Sequence, residues 1–146
     1  MEESPAGRLI LVVQDNPDHT RLIEDALNEK AGRHQIVAIA DGVEAMDFLH
    51  RQGNYADATR PDLILLDLNL PGKDGKELLA EIKADPQLRR IPIVVLTISA
   101  NAEDIFRSYA LQGNCYVIKS ADLEQLFQIV KRIEEFWLGI VTLPVE

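Results

Sequence analysis

The sequence predicts a doubly wound α/β domain, in which helices cover both faces of one parallel β-sheet. Short runs of consecutive apolar residues alternate with segments whose apolar residues recur at helical spacing. Because the runs do not alternate apolar with polar residues, we expect both faces of each strand to be buried. The length of 146 residues fits one domain, and no internal repeat or linker divides it.

The predicted strands and helices follow one another in strict alternation. The predicted strands are residues 9–13, 35–40, 63–66, 93–96 and 116–118. The predicted helices are residues 17–30, 42–52, 75–84, 102–111 and 123–137. Asn16 and Pro17 form a typical helix start, and Gly32 and Gly113 are typical of helix ends. This alternation makes every strand pairing in the predicted sheet parallel.

Composition argues against several classes of function. Lys and Arg number 15 against 24 Asp and Glu, which gives a net charge of −9, and aromatic residues are 5%. An acidic chain with few stacking rings does not fit a nucleic-acid surface. Cys115 is the only cysteine, so an internal disulfide is excluded. The first residues lack the pattern of a signal peptide and no apolar run would span a membrane, so we expect a cytoplasmic protein.

Four polar residues fall at the carboxyl ends of predicted strands. Asp15 follows the first strand, Asp67 the third, Thr97 the fourth and Lys119 the fifth. Ligands of open parallel sheets bind beyond this edge. Two carboxylates there would hold Mg²⁺, which keeps several positions open for other oxygens. Lys119 and Thr97 would then face phosphoryl oxygens, and a carboxylate can itself accept a phosphoryl group as an acyl phosphate.

Each of these residues also has a simpler structural interpretation. Asp15 fits the turn that begins a helix, Thr97 fits a strand-end hydroxyl bonded to the backbone, and Lys119 fits a solvated strand end. Asp67 is harder to explain in this way, because it directly follows a fully apolar strand. The arrival of all four at strand ends, in this order, favours a site.

Residues 66–75, with the sequence LDLNLPGKDG, resemble the phosphoacceptor loop of bacterial response-regulator receiver domains. With the strand-end residues already described, the resemblance covers roughly residues 9–137. It implies the flavodoxin-like receiver fold, with strand order 2-1-3-4-5. It also implies that a sensor histidine kinase phosphorylates Asp67, with Thr97 and Lys119 completing the catalytic set.

The same resemblance implies a metal site and a switch. Mg²⁺ would be bound by Asp15, Asp67 and the backbone carbonyl of Asn69. Tyr116 matches the aromatic residue that changes rotamer as the hydroxyl of Thr97 moves toward the phosphoryl group. The chain itself is not expected to be an enzyme.

A narrower resemblance lies near the C-terminus. Residues 114–120 (NCYVIKS) and 136–144 (FWLGIVTLP) are similar to the small response regulators paired with cyanobacterial phytochromes, which are stand-alone receivers. This similarity implies a phytochrome as the kinase partner. It also implies a single receiver domain over residues 1–146, with a core of about 8–137 and a C-terminal tail of 138–146.

Three positions depart from the receiver pattern. Gln14 stands where receivers carry the first of two acids, and in receivers that acid reaches the metal through water. Gln14 is therefore expected beside the direct ligands of the metal. Because it lacks the negative charge of an acid, it should weaken Mg²⁺ binding. Ile98 stands where small residues are frequent, next to the approach to Asp67. Ser120 replaces the usual proline after a cis peptide bond, and since a cis bond without proline costs about 2.5–4 kcal/mol, the state of the Lys119–Ser120 bond is left open.

Two other functions compete with a phosphorylated receiver. In a pseudo-receiver, which would bind partners independently of phosphorylation, Gln14 and Ile98 would have weakened the chemistry. A flavodoxin-like or phosphatase enzyme is disfavoured, because Asp15 lacks the acid two residues later that such phosphatases use and no Gly-rich loop follows the first strand. His19 is interpreted as a solvated surface residue, with kinase contact as the alternative.

The last predicted helix carries more apolar residues than one face requires, which predicts a homodimer. One stripe is expected to cover the sheet: Leu123, Leu126, Phe127, Val130 and Trp137. A second stripe is expected to form the interface: Ile129, Ile133, Phe136 and Ile140. Three apolar tail residues are expected to extend this surface: Val141, Leu143 and Val145. In the alternative, the tail folds back over its own domain.

Overall fold

A computed structural model describes residues 8–28, 34–98, 101–110, 115–119, 122–140 and 143. Its strands are β1 (Leu9–Val13), β2 (Gln35–Ile39), β3 (Leu63–Leu66), β4 (Ile93–Thr97) and β5 (Cys115–Ile118). They form one sheet in the order β2-β1-β3-β4-β5, and every pairing is parallel. The predicted fold class and strand order are therefore confirmed.

The helices follow the predicted alternation with small differences at their ends. They are α1 (Pro17–Leu27), α2 (Gly42–His50), α3 (Gly75–Ala84), α4 (Ala102–Ala110) and α5 (Leu123–Glu134). A short 3₁₀ turn, Gly53–Tyr55, follows α2, and a π-helical segment, Glu135–Ile140, continues α5. The sequence predicted neither. The predicted helix ends at Gly32 and Gly113 lie outside the described residues.

The central strands are buried on both faces, as their unbroken apolar sequences predict. One core lies between the sheet and helices α2 and α3, and includes Leu11 and Leu66. A second core lies on the opposite face with α1 and α5, and includes Ile10 and Leu65. Because successive residues of a strand point to opposite faces, each apolar run supplies both cores. The sheet thus forms a platform whose carboxyl edge holds the polar residues.

A helix cap at Asn16 and a close backbone approach at Gly75 bring two helices near that edge. The side chain of Asn16 accepts hydrogen bonds from the backbone N–H groups of Asp18 (2.9 Å) and His19 (3.2 Å), which fixes the first turn of α1 directly after β1. Gly75 begins α3 against the loop after β3. A Cβ atom at Gly75 would lie 2.4 Å from the carbonyl oxygen of Asp67, so only glycine permits this approach.

The predicted division of the apolar residues of α5 into a core stripe and an interface stripe is wrong at two residues. Ile133, assigned to the interface, is only 7% exposed and packs in the core with α1, whereas Leu123, assigned to the core, is 48% exposed. Ile129 is partly buried against the same core, and Phe136 is 50% exposed. The π-helical segment changes the phase of side chains after Glu134, so simple helical spacing does not carry through to Phe136.

The rest of the predicted interface is less completely described. The side chain of Ile140, and residues 141 and 145, lie outside what the structure describes. Leu143 is buried, which favours the alternative that the tail packs on its own domain at this residue. Among the helices of the described ranges, none combines the length and apolar character needed to cross a membrane.

The corrected packing of α5 makes a prediction about stability. Replacing Ile133 by alanine should lower the free energy of unfolding by about 2–5 kcal/mol, since it removes buried methyl groups and leaves a cavity. Replacing the half-exposed Phe136 by alanine should cost less than about 1 kcal/mol. Urea unfolding of both variants beside the parent measures the difference. Equal losses would contradict the assigned orientation of α5.

Candidate functional site

Asp67 is a buried carboxylate at the end of β3. Its backbone N–H donates to the carbonyl of Val13 (3.0 Å), which continues the β1–β3 ladder one residue further. Its Oδ1 atom accepts hydrogen bonds from the Thr97 hydroxyl (2.8 Å) and from the backbone N–H of Asn69 (3.1 Å). Its Oδ2 atom accepts from the Nζ of Lys119 (3.1 Å). The structure thus brings together Asp67, Thr97 and Lys119, as their places at strand ends predicted.

Lys119 is positioned by the strand that precedes it. Its backbone N–H donates to the carbonyl of Thr97 (2.7 Å), so the two residues are fixed side by side. Its side chain is 2% exposed, and that of Asp67 is 6% exposed. An ion pair buried to this degree requires that the remaining hydrogen-bonding groups also find partners. The interpretation of Lys119 as a solvated strand end is therefore wrong.

Among the described residues, the ammonium of Lys119 has three acceptors. Besides Asp67, its Nζ donates to the Oε1 of Gln14 (2.7 Å) and lies 3.0 Å from the Nδ1 of His19. An ammonium has three N–H groups and no lone pair, so these three partners use all of its protons. The Nδ1 of His19 must then be the acceptor, which fixes a neutral imidazole with its proton on Nε2.

Gln14 links Lys119 to the sheet. Its side chain is buried, and its Nε2 donates to the carbonyl of Leu96 (3.3 Å) while its Oε1 accepts from Lys119. Gln14 therefore supplies a neutral acceptor at the position where an acid would add a negative charge. Its predicted place beside the ligands of a metal ion remains a prediction.

His19 lies in the cluster around Lys119, which the sequence interpretation did not predict. It is partly buried in the first turn of α1 and bonded to Lys119, so the interpretation as a solvated residue is wrong. Burial lowers the pKa of its imidazole below the ordinary value of 6.5, and the charge of Lys119 lowers it further. The carboxylates of Asp67, Asp18 and Asp15 act in the opposite direction but do not outweigh these effects. The one sequence signal was its position one helical turn after Asp15.

The predicted metal ligands lie on the open side of this cluster. Asp15 and Asn69 are exposed, while Asp67 is buried. In the described ranges, no group of three or more His, Cys, Asp or Glu side chains is arranged to hold a metal ion. An ion bound by Asp15 and Asp67 would therefore take its other ligands from backbone carbonyls, water or a substrate, which is the coordination that Mg²⁺ favours.

The remaining predicted residues lie around the site. Tyr116 pairs with Val95 in the sheet and packs against the core on that face, where Thr97 also points because it stands two residues after Val95. The backbone N–H of Tyr116 donates to the hydroxyl of Tyr109 (3.2 Å). The proposed switch remains a prediction. Ile98 is exposed. Ser120, and with it the Lys119–Ser120 peptide bond, lies outside the described residues.

The cluster places a carboxylate beside groups that stabilise charge. The carboxylate of Asp67 is held in a fixed orientation by two donors on one oxygen and one on the other. Lys119 supplies a cation, and the hydroxyl of Thr97 supplies a further donor. Fixed donors and cations around a carboxylate are the groups that transfer of a phosphoryl group requires.

Comparison with known proteins gives concordant matches. A family model described as the response regulator receiver domain matches residues 10–131. The response regulator Rcp1 of Synechocystis is 50% identical over 143 residues, which are 98% of this chain and 97% of Rcp1. The probable methanogenesis regulatory protein FilR2 of Methanothrix harundinacea is 41% identical over 131 residues, 90% of this chain and 84% of FilR2.

Two solved structures are similar over almost the whole chain. One is the phosphorylated cyanobacterial phytochrome response regulator RcpA, with 59% identity and a TM-score of 0.93, covering 96% of this chain and all of the RcpA chain (100%). Another is the Mn²⁺-bound form of Rcp1, with 51% identity and a TM-score of 0.91, covering 94% of this chain and 99% of that one.

The contact between His19 and Lys119 makes a prediction about titration. Replacing Lys119 by glutamine should raise the pKa of His19 toward 6.5, because the positive charge beside the imidazole is removed while burial remains. Titration of the imidazole signals by NMR measures this change. The backbone amide signals of β2, at the far edge of the sheet, should be unaffected and serve as the control for an intact fold. An unchanged titration of His19 would contradict the contact.

Proposed function

Because this chain belongs to the response regulator receiver family, we propose that Asp67 accepts a phosphoryl group from a sensor histidine kinase. The observation that supports this most directly is the buried carboxylate whose two oxygens are bound by Thr97 and Lys119. A carboxylate with a structural role alone can remain in solvent, as that of Asp15 does, whereas Asp67 is buried beside a cation and a hydroxyl. Those groups are the ones that phosphoryl oxygens require.

The proposed transfer is a single displacement. An oxygen of Asp67 forms a bond to phosphorus while the bond between phosphorus and the nitrogen of the kinase's phosphohistidine breaks, and the electron pair of that bond stays on the imidazole. Lys119 and Thr97 then donate to the oxygens of the phosphoryl group. Since both are anchored by the β4 and β5 backbone, no large rearrangement is needed to stabilise the charge.

Charge balance supports the need for a divalent cation. Asp67 and Lys119 neutralise each other before the transfer, but a phosphoryl group brings two negative charges close to Asp15 while Lys119 supplies one positive charge. Asp15, Asp67 and the carbonyl of Asn69 would hold Mg²⁺ on the open side, and the bound ion would neutralise the remaining charge. The solved Mn²⁺-bound form of the relative Rcp1 supports a divalent ion in this family.

The proposed kinase is a phytochrome. The support is the likeness to RcpA, which is described as a phytochrome response regulator and is 59% identical. The alternative, a pseudo-receiver that binds partners without phosphorylation, is separated from this proposal by the labelling experiment below.

Replacing Asp67 by asparagine should abolish phosphorylation. Asparagine keeps the size of the side chain but removes the nucleophilic carboxylate, so incubation with acetyl phosphate and Mg²⁺ should give no acid-stable, alkali-labile mass gain on the protein. Asp57→Asn, an exposed aspartate in the loop before β3, is the matched control and should be labelled like the parent. Undiminished labelling of Asp67→Asn would overturn the assignment, and an unlabelled parent would favour the pseudo-receiver.

Replacing Gln14 by glutamate should tighten Mg²⁺ binding. The new carboxylate would add a negative charge at a buried position that contacts Lys119, and the field at a nearby cation would increase. Titration of parent and variant with MgCl₂, followed by intrinsic fluorescence or calorimetry, measures the two affinities. Equal affinities would mean that Gln14 does not lie near the ion.

We further propose that the protein forms a homodimer through α5 and the segment after it. The support is the exposure of Phe136, which lies beside Trp137 with the two rings edge to face, and of Leu123 at the start of α5. Ile133 is no longer part of this surface, because it is buried in its own domain. The surface is therefore smaller than the sequence predicted, which favours a dimer that exchanges with monomer.

Replacing Phe136 by glutamate should shift this dimer to monomer, because it places a charge in an apolar contact. Sedimentation velocity of parent and variant at tens of micromolar protein measures the equilibrium. Glu135→Gln, an exposed neighbour on the same segment, is the control and should sediment like the parent. A parent that remains monomeric with and without phosphorylation would end this proposal.

A further inference from the structure

We propose that His19 is a positioning residue for phosphoryl transfer. Its Nδ1 accepts a hydrogen bond from Lys119 in the resting protein, and this hydrogen bond breaks when the phosphoryl group arrives. The inference rests on the proposed function of Asp67. It starts from the distance of 3.0 Å between the Nζ of Lys119 and the Nδ1 of His19.

Lys119 has three N–H groups to share among the acceptors around it. In the resting protein its three N–H groups meet three acceptors, on Asp67, Gln14 and His19. While the new bond to phosphorus is forming, Asp67 still carries negative charge and a phosphoryl oxygen needs a donor from the same ammonium. Four acceptors then compete for three protons. One of the resting contacts must be given up for the phosphoryl group to bind.

His19 is the acceptor that is released at least cost. Gln14 is buried and its other amide atom is held by the carbonyl of Leu96, so its oxygen would be left without a partner. Asp67 is charged and buried, so its hydrogen bond to the ammonium is stronger than that of a neutral ring. His19 is neutral and partly exposed in the first turn of α1, so water replaces Lys119 as its partner.

His19 therefore slows phosphorylation, because part of the interaction that stabilises the incoming phosphoryl group is used to break its contact with Lys119. If His19 merely supported the fold, loss of its side chain would slow the transfer or leave its rate unchanged. Removing the acceptor at residue 19 should accelerate the reaction. Keeping an acceptor there, without an imidazole, should restore the parent rate.

Two variants of the full chain test this. The rate of modification by acetyl phosphate with Mg²⁺ is measured at a pH at which the imidazole is neutral. His19→Ala, which has no acceptor, should react about three- to tenfold faster, the range expected for the net contribution of one hydrogen bond whose acceptor passes to water. His19→Asn places its Oδ1 where the Nδ1 of histidine lies, and should react at the parent rate. Slower or unchanged modification of His19→Ala, or equal acceleration in both variants, would overturn the inference.

A spectroscopic measurement tests the release itself. The ¹⁵N shift of His19 Nδ1 in the parent is recorded before and after addition of beryllium fluoride and Mg²⁺, which mimic a bound phosphoryl group. It should move from the value of a nitrogen bonded to an ammonium to that of one bonded to water. An unchanged shift with beryllium fluoride bound would overturn the inference. Failure of the parent to react with acetyl phosphate would instead refute the proposed function, and with it this inference.

Discussion

The buried ion pair between Asp67 and Lys119 is the interaction on which the site depends. Two charges withdrawn from water are costly unless their remaining hydrogen-bonding groups are satisfied, and removing one partner of such a pair costs about 3–5 kcal/mol. Thr97 and Asn69 donate hydrogen bonds to the carboxylate of Asp67, while Gln14 and His19 accept hydrogen bonds from the ammonium of Lys119. Each neighbour is therefore explained by the same requirement. The pair is also what makes the site reactive, because a fixed carboxylate lies beside a fixed cation.

The parallel sheet is what brings these groups together. Asp67 and Lys119 each stand one residue after a strand, and Thr97 ends the strand between them. Parallel strands that end at one edge place such residues side by side without any further device. The membership of the receiver family agrees with this arrangement, but the arrangement follows from the register of β1, β3, β4 and β5 alone.

The sequence predicted the parts of this structure that follow from periodicity, and missed those that follow from side-chain direction. Unbroken apolar runs identified the buried strands, so the meeting of Asp67, Thr97 and Lys119 was predictable. The contacts of Gln14 and His19 were not, because they depend on rotamers and on the number of protons that one ammonium must share. Helical spacing grouped the apolar residues of α5, but the packing of the helix decided that Ile133 is buried and Leu123 exposed.

We propose that a single ammonium, shared among three acceptors, both stabilises the resting site and binds the phosphoryl group. Crystal structures of the protein alone and with beryllium fluoride and Mg²⁺ test it most directly. The Nζ of Lys119 should contact Asp67, Gln14 and His19 in the first structure, and Asp67, Gln14 and a fluorine in the second, with His19 turned to water. A Lys119 side chain that points to solvent in the first structure, or that keeps His19 in the second, would contradict it.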